Sequence, residues 1–77
     1  MHEAIARAKA LDDGTRAALA VAEISPNIEL AVKAFRVFAP SDTRVTVTRQ
    51  QHSGGEASVE GFDPVNGYAL FHRGIVV

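Results

Sequence analysis

The chain has 77 residues, 47% of them apolar and 22% charged, with a formal net charge of −1. That is room for one domain with one core, a globular rather than a disordered composition, and too weak a charge for the strongly basic surface of a non-specific nucleic-acid binder. With no cysteine, disulfides and thiolate metal sites are excluded, and packing, or a partner subunit, has to supply the stability that small domains often draw from such links.

The amino-terminal run 2–13 predicts a helix. Met1, Ala4, Ile5, Ala8 and Leu11 recur at helical spacing, and Glu3 and Arg7 stand four apart with the acid first. Asp13-Gly14 then reads as a stop, with glycine closing the helix and Thr15 capping the next. A short, alanine-rich helix is expected over 16–24. Ser25-Pro26 is a restart signal, with serine as cap and proline at the first helical position, and predicts a third helix over 26–39.

In that third segment Ile28, Ala31, Val32, Phe35, Phe38 and Ala39 share one face, against a narrow polar stripe of Glu29, Lys33 and Arg36. FRVFA, residues 35–39, also fits a strand. The stripe favours the helix, because alternation would send Lys33 and Arg36 to opposite faces.

After Pro40-Ser41-Asp42 the period changes to two. Residues 43–51 alternate Val45 and Val47 with Arg44, Thr46 and Thr48, predicting a strand with one packed and one wet face. HSGGEA is a loop. A second strand is expected over 57–62, with Gly61 marking a bulge, followed by a tight turn in DPVNG. The last strand, 68–77, is apolar on both sides, with Tyr68, Leu70 and Val76 on one and Ala69, Phe71, Ile75 and Val77 on the other. The expected architecture is therefore α+β, three helices packed on a three-stranded antiparallel meander.

Little in the chain points to catalysis. The histidines, His2, His52 and His72, form no helical or hairpin pair. A cluster of His52, Glu56 and Asp63 is the nearest approach to a ligand set, and the reading adopted is no metal and no cofactor. Ser53-Gly54-Gly55 lacks the following helix and the lysine of a phosphate loop, and no serine stands in a nucleophile elbow. Asp12-Asp13 reads as helix-end chemistry, although acids there oppose the helix dipole. No apolar stretch approaches the ~18 residues of a membrane span, and no signal sequence is evident, so a cytoplasmic protein is expected.

Two binding readings follow. The first is a non-catalytic protein-binding module, a stoichiometric inhibitor or regulator of the kind carried by phages and mobile elements, acting on another protein or pairing with itself as a homodimer. Its surface would be the sheet and last strand, with Tyr68, Leu70, Phe71, Val76, Arg44, Thr46 and Thr48 as contacts, because an exposed apolar strand marks an interface. The second takes three helices and a hairpin as a winged helix-turn-helix. Helix 26–39 would then enter the DNA groove, with Lys33, Arg36, Arg44 and Arg49 as contacts, but that helix lacks residues suited to reading base edges.

Overall fold

The computed structural model describes residues 2–50 and 55–75. Two helices, α1 (His2–Ile24) and α2 (Ile28–Phe38), precede three strands, β1 (Arg44–Gln50), β2 (Glu56–Asp63) and β3 (Tyr68–Ile75). The α+β class holds, with two helices rather than three. The expected strand ends at 51 and 76–77, and loop residues 52–54, lie outside the described residues.

The break expected at Asp13-Gly14 is absent, and the reason is packing. Gly14 is buried within α1, where a Cβ would meet the Phe35 carbonyl oxygen at 2.9 Å and the Ala39 Cβ at 3.0 Å. The glycine lets α2 approach the backbone of α1, which offsets its helix-propensity cost of about 1 kcal/mol. Thr15 is not a cap. Its hydroxyl donates to the Leu11 carbonyl one turn back at 2.8 Å, the arrangement by which threonine is accommodated inside a helix. Asp12, expected at a helix end, instead pairs with Arg16 at 3.0 Å across one turn.

The second helix begins later than Ser25-Pro26 predicts. Asn27 is the cap, its side chain accepting from the Glu29 amide at 3.0 Å, while the Ser25 hydroxyl accepts from the Asn27 amide at 3.2 Å. Both satisfy amides that a helix start leaves unpaired. Residues 35–38 are helical, so the strand alternative for 35–39 fails. Of the face expected to be buried, Ala31, Phe35 and Ala39 are, Ile28 and Val32 are half-buried, and Phe38 stays 53% exposed.

The strands form one antiparallel sheet in the order β1-β2-β3, so β3 is an edge strand. Register is unbroken from Arg44↔Phe62 to Gln50↔Glu56 and from Glu56↔Ile75 to Asp63↔Tyr68. Gly61 is therefore no bulge. It lies beneath the helices, where a Cβ would meet Thr15 Oγ1 at 2.7 Å and both Leu11 Cδ1 and Phe35 Cε2 at 2.9 Å.

Leu11, Phe35 and Val59 are the large side chains of the core, and Ala18, Ala22, Ala31, Ala39 and Ala57 fill the rest. Val45, Val47, Leu70 and Leu19 close its sides.

Polar links fix the ends of the layers. The Arg36 guanidinium donates to the carbonyls of Ser41, at 3.3 Å, and Thr43, holding the α2–β1 connection. Arg49 reaches from β1 to the carbonyls of Ala22 and Ser25, where the end of α1 leaves acceptors free. Arg7 bridges the buried Asp63, at 3.0 Å, and Asp42, at 2.7 Å, tying α1 to the turn after β2 and to the turn before β1. Asp63 also accepts from the Val65 amide and the Asn66 side chain, each at 2.9 Å, so one carboxylate organises the predicted DPVNG turn. Gly67 closes that turn with φ of 66°, a conformation open to glycine at no steric cost.

Candidate functional site

Because side chains alternate along a strand, the register determines which ones share a face. One face of the sheet, carrying Val45, Val47, Ala57, Val59, Gly61 and Leu70, is covered by the helices. Among the described residues no element lies over the other. Across it run the rows Arg44–Phe62–Ala69, Thr46–Glu60–Phe71 and Thr48–Ser58–Arg73, followed by Glu56 and Ile75. Phe71 is 57% exposed and Ile75 69%.

Aromatic and cationic groups are interleaved on this face. The Arg44 guanidinium carbon lies 4.7 Å from the centre of the Phe62 ring, and that of Arg73 lies 5.7 Å from the Phe71 ring, within the range of a cation–π attraction worth ~0.5–1 kcal/mol when exposed. Arg44, Thr46, Glu60 and Phe62 line a shallow depression. Two arginines, Arg44 and Arg73, balance two glutamates, Glu56 and Glu60, so the face is mixed rather than basic. The acids sit on the central strand and the cations on the two edges.

Of the residues expected to contact a protein partner, Arg44, Thr46, Thr48 and Phe71 come together here. Leu70 does not, since it packs on the core from the covered side. Tyr68 shares that side by register, near the strand end. Val76 lies outside the described residues. Phe62, Glu60 and Arg73 belong to the face but were not anticipated. They become legible only when the strands are aligned, the β1–β2 register setting Phe62 beside Arg44 and the register through the Asp63–Gly67 turn setting Phe71 beside Glu60.

The four residues of the DNA reading do not assemble into one surface. Lys33 is exposed on α2, Arg36 and Arg49 are engaged with backbone carbonyls, and Arg44 lies on the open sheet face.

Among the described residues, no three side chains of metal-ligating type converge. Glu56 and Asp63 point to opposite faces of β2, and His52 lies outside the described residues. His72 faces α1, with Nε2 at 3.4 Å from Asp12 Oδ1 but without the alignment of a hydrogen bond. The Arg7 guanidinium holds Asp63 below the ordinary carboxylate range, and hydrogen bonds from Arg7 to Asp63 and then Asp42 raise the arginine in return. That cluster is a structural tie between elements.

No described helix is long and apolar enough to cross a membrane. Comparison of the chain with protein-family models, curated proteins and solved structures finds no match.

Proposed function

We propose that the chain is a non-catalytic protein-binding module, acting as a stoichiometric inhibitor or regulator, that engages its partner through the open face of the sheet. The observation that carries this reading is the exposure of Phe71 and Ile75, with half-buried Phe62 diagonal to Phe71, among Arg44, Arg73, Glu56 and Glu60 on the open face of the sheet. Exposed apolar side chains interleaved with arginines, acids and hydroxyls have the composition of a transient protein interface, where aromatics and arginine provide the anchors. The partner has basic groups opposite the central strand and acidic groups opposite its edges, since that arrangement pairs both arginines and both glutamates.

A duplex-DNA reading has less support. A winged helix needs three helices, α1 is continuous, and two of the four cations are tied to carbonyl groups. The balanced charge of the sheet face also favours protein over a phosphate backbone.

The test is replacement of Phe71 by glutamate. The side chain is exposed, so the fold should persist with an unchanged far-UV spectrum while a partner retained from the native host by the wild type is lost. Retention of the same partner by Phe71→Glu at unchanged affinity refutes the assignment.

A further inference from the structure

We infer that β3 is a self-association edge, on which a second copy of this chain pairs its own β3, antiparallel about a two-fold axis at His72, so that the two sheets join into one. The contact runs along the edge of the strand rather than over the open face, and does not depend on the proposed partner site.

An edge strand presents a row of unpaired amide and carbonyl groups, and proteins that must avoid pairing blunt it by shortening, proline, bulges or inward-turned charges. On one side β3 pairs with β2, and on the other no described strand pairs with it. It is eight residues long, holds an unbroken register and contains no proline. Its one arginine or lysine, Arg73, lies on the open face. The opposite edge differs. There Arg49 turns inward from β1 to the carbonyls at the end of α1, which is one of those protective devices.

The order of side chains along β3 selects a second copy. Facing residues of an antiparallel pair point to the same side of the sheet, so a two-fold axis falls at a single residue, which then faces itself. With the axis at His72, Phe71 of each copy faces Arg73 of the other, and Ala69 faces Ile75. Arg73 already stands 5.7 Å from the Phe71 ring of its own chain. The pair of copies therefore gathers two rings and two guanidinium groups with no cation opposite a cation, an attraction that symmetry doubles. Neighbouring registers are poorer. An axis at Arg73 sets arginine against arginine, and one at Phe71 sets Ile75 against Gly67 of the turn. On the covered side Leu70 faces Gly74, and each His72 keeps Asp12 of its own chain at 3.4 Å. Helical spacing puts Lys9, Asp12, Arg16 and Glu23 on the flank of α1 that borders β3, where Asp12 pairs with Arg16 and Glu23 lies over Gly74. Two cations and two acids leave that flank without net charge. Pairing over 69–75 adds about seven main-chain hydrogen bonds, the source of affinity wherever a strand is added to an edge.

Sedimentation of the full chain over about 1 to 500 µM reads the association directly. The wild type should pass from monomer to dimer across that range. Phe71→Arg should weaken the dimer at least ~10-fold, because it sets arginine opposite arginine at both symmetric positions. Adding Arg73→Glu to it should restore the dimer, since each new arginine then faces a glutamate. Phe71→Glu should leave the dimer at least as tight, its carboxylate facing Arg73, while the partner proposed above is lost, so the two readings fail separately. Phe71 is 57% exposed, and all these variants should keep the wild-type far-UV spectrum. A wild type that stays monomeric at the highest concentration overturns the inference. So does a dimer indifferent to Phe71→Arg, one weakened equally by Phe71→Arg and Phe71→Glu, or one that the double substitution fails to restore.

Discussion

Replacing Gly14 by alanine gives opposite results for an ordinary helical glycine and for the crossing described above. In an exposed helix interior the change stabilises by about 1 kcal/mol, because alanine loses less backbone entropy on folding. At this position the new Cβ would stand 2.9 Å from the Phe35 carbonyl oxygen, 3.0 Å from the Ala39 Cβ and 3.1 Å from Phe35 Cδ2. The first of these is backbone, and the oxygen is also held by the Ala39 amide at 3.0 Å, so relief requires α2 to move rather than one side chain to rotate. Overpacking of this kind costs ~1–3 kcal/mol. Set against the propensity gain, the net expectation is a loss on the order of 1 kcal/mol, or a fall in Tm of ~4–8 °C for a domain of this size. Gly14→Val, with a larger and β-branched side chain, should cost about 3 kcal/mol or more. Thermal melts followed at the helical band, with Ala20→Gly on the exposed side of α1 as the reference for propensity alone, measure both terms. A higher Tm for Gly14→Ala would mean that the helices do not cross closely at this residue.

Other outcomes follow from the same contacts. Phe35→Ala should cost ~3–5 kcal/mol by leaving a cavity among Leu11, Gly61 and Gly14, about half of the ~4–12 kcal/mol expected for a chain of this length, and chemical denaturation will measure it. Asn27→Ala should cost about 1 kcal/mol as the loss of a helix cap, and Ser25→Ala clearly less. Equal costs would restore Ser25 as the cap. Asp63 has its acidity raised by Arg7, so its folded pKa lies below its unfolded one. Its contribution to stability is then present above the ordinary aspartate value of 3.8 and is lost as pH falls through the lower folded value. Asp63→Asn should lower Tm at neutral pH, and the gap from wild type should close in strong acid. A gap that stays constant with pH would exclude the ion pair as its source.

How much was legible in the chain depended on whether a signal was local. The alternation of Val45 and Val47 with Thr46 and Thr48 predicted β1 and its two faces, and DPVNG predicted its turn. The Glu29, Lys33 and Arg36 stripe correctly favoured helix over strand in 35–38. Gly14 misled because glycine serves both helix ends and close helix crossings, and only the position of Phe35, 21 residues later, distinguishes the two. Arg36 and Arg49 looked like free cations for the same reason, since the carbonyls they serve belong to other elements. The open face left a trace in the alternation, since the apolar character on both sides of the last strand set Phe71 on the side opposite Leu70, as the register does.

The central claim, that the uncovered sheet face binds a protein partner, is tested most directly by comparing what immobilised wild type, Phe71→Glu and Val37→Glu retain from the native host, with each variant first confirmed as folded. The account predicts a protein held in stoichiometric amount by the wild type and by Val37→Glu, and lost with Phe71→Glu. A retained set that is the same for Phe71→Glu and the wild type would contradict it.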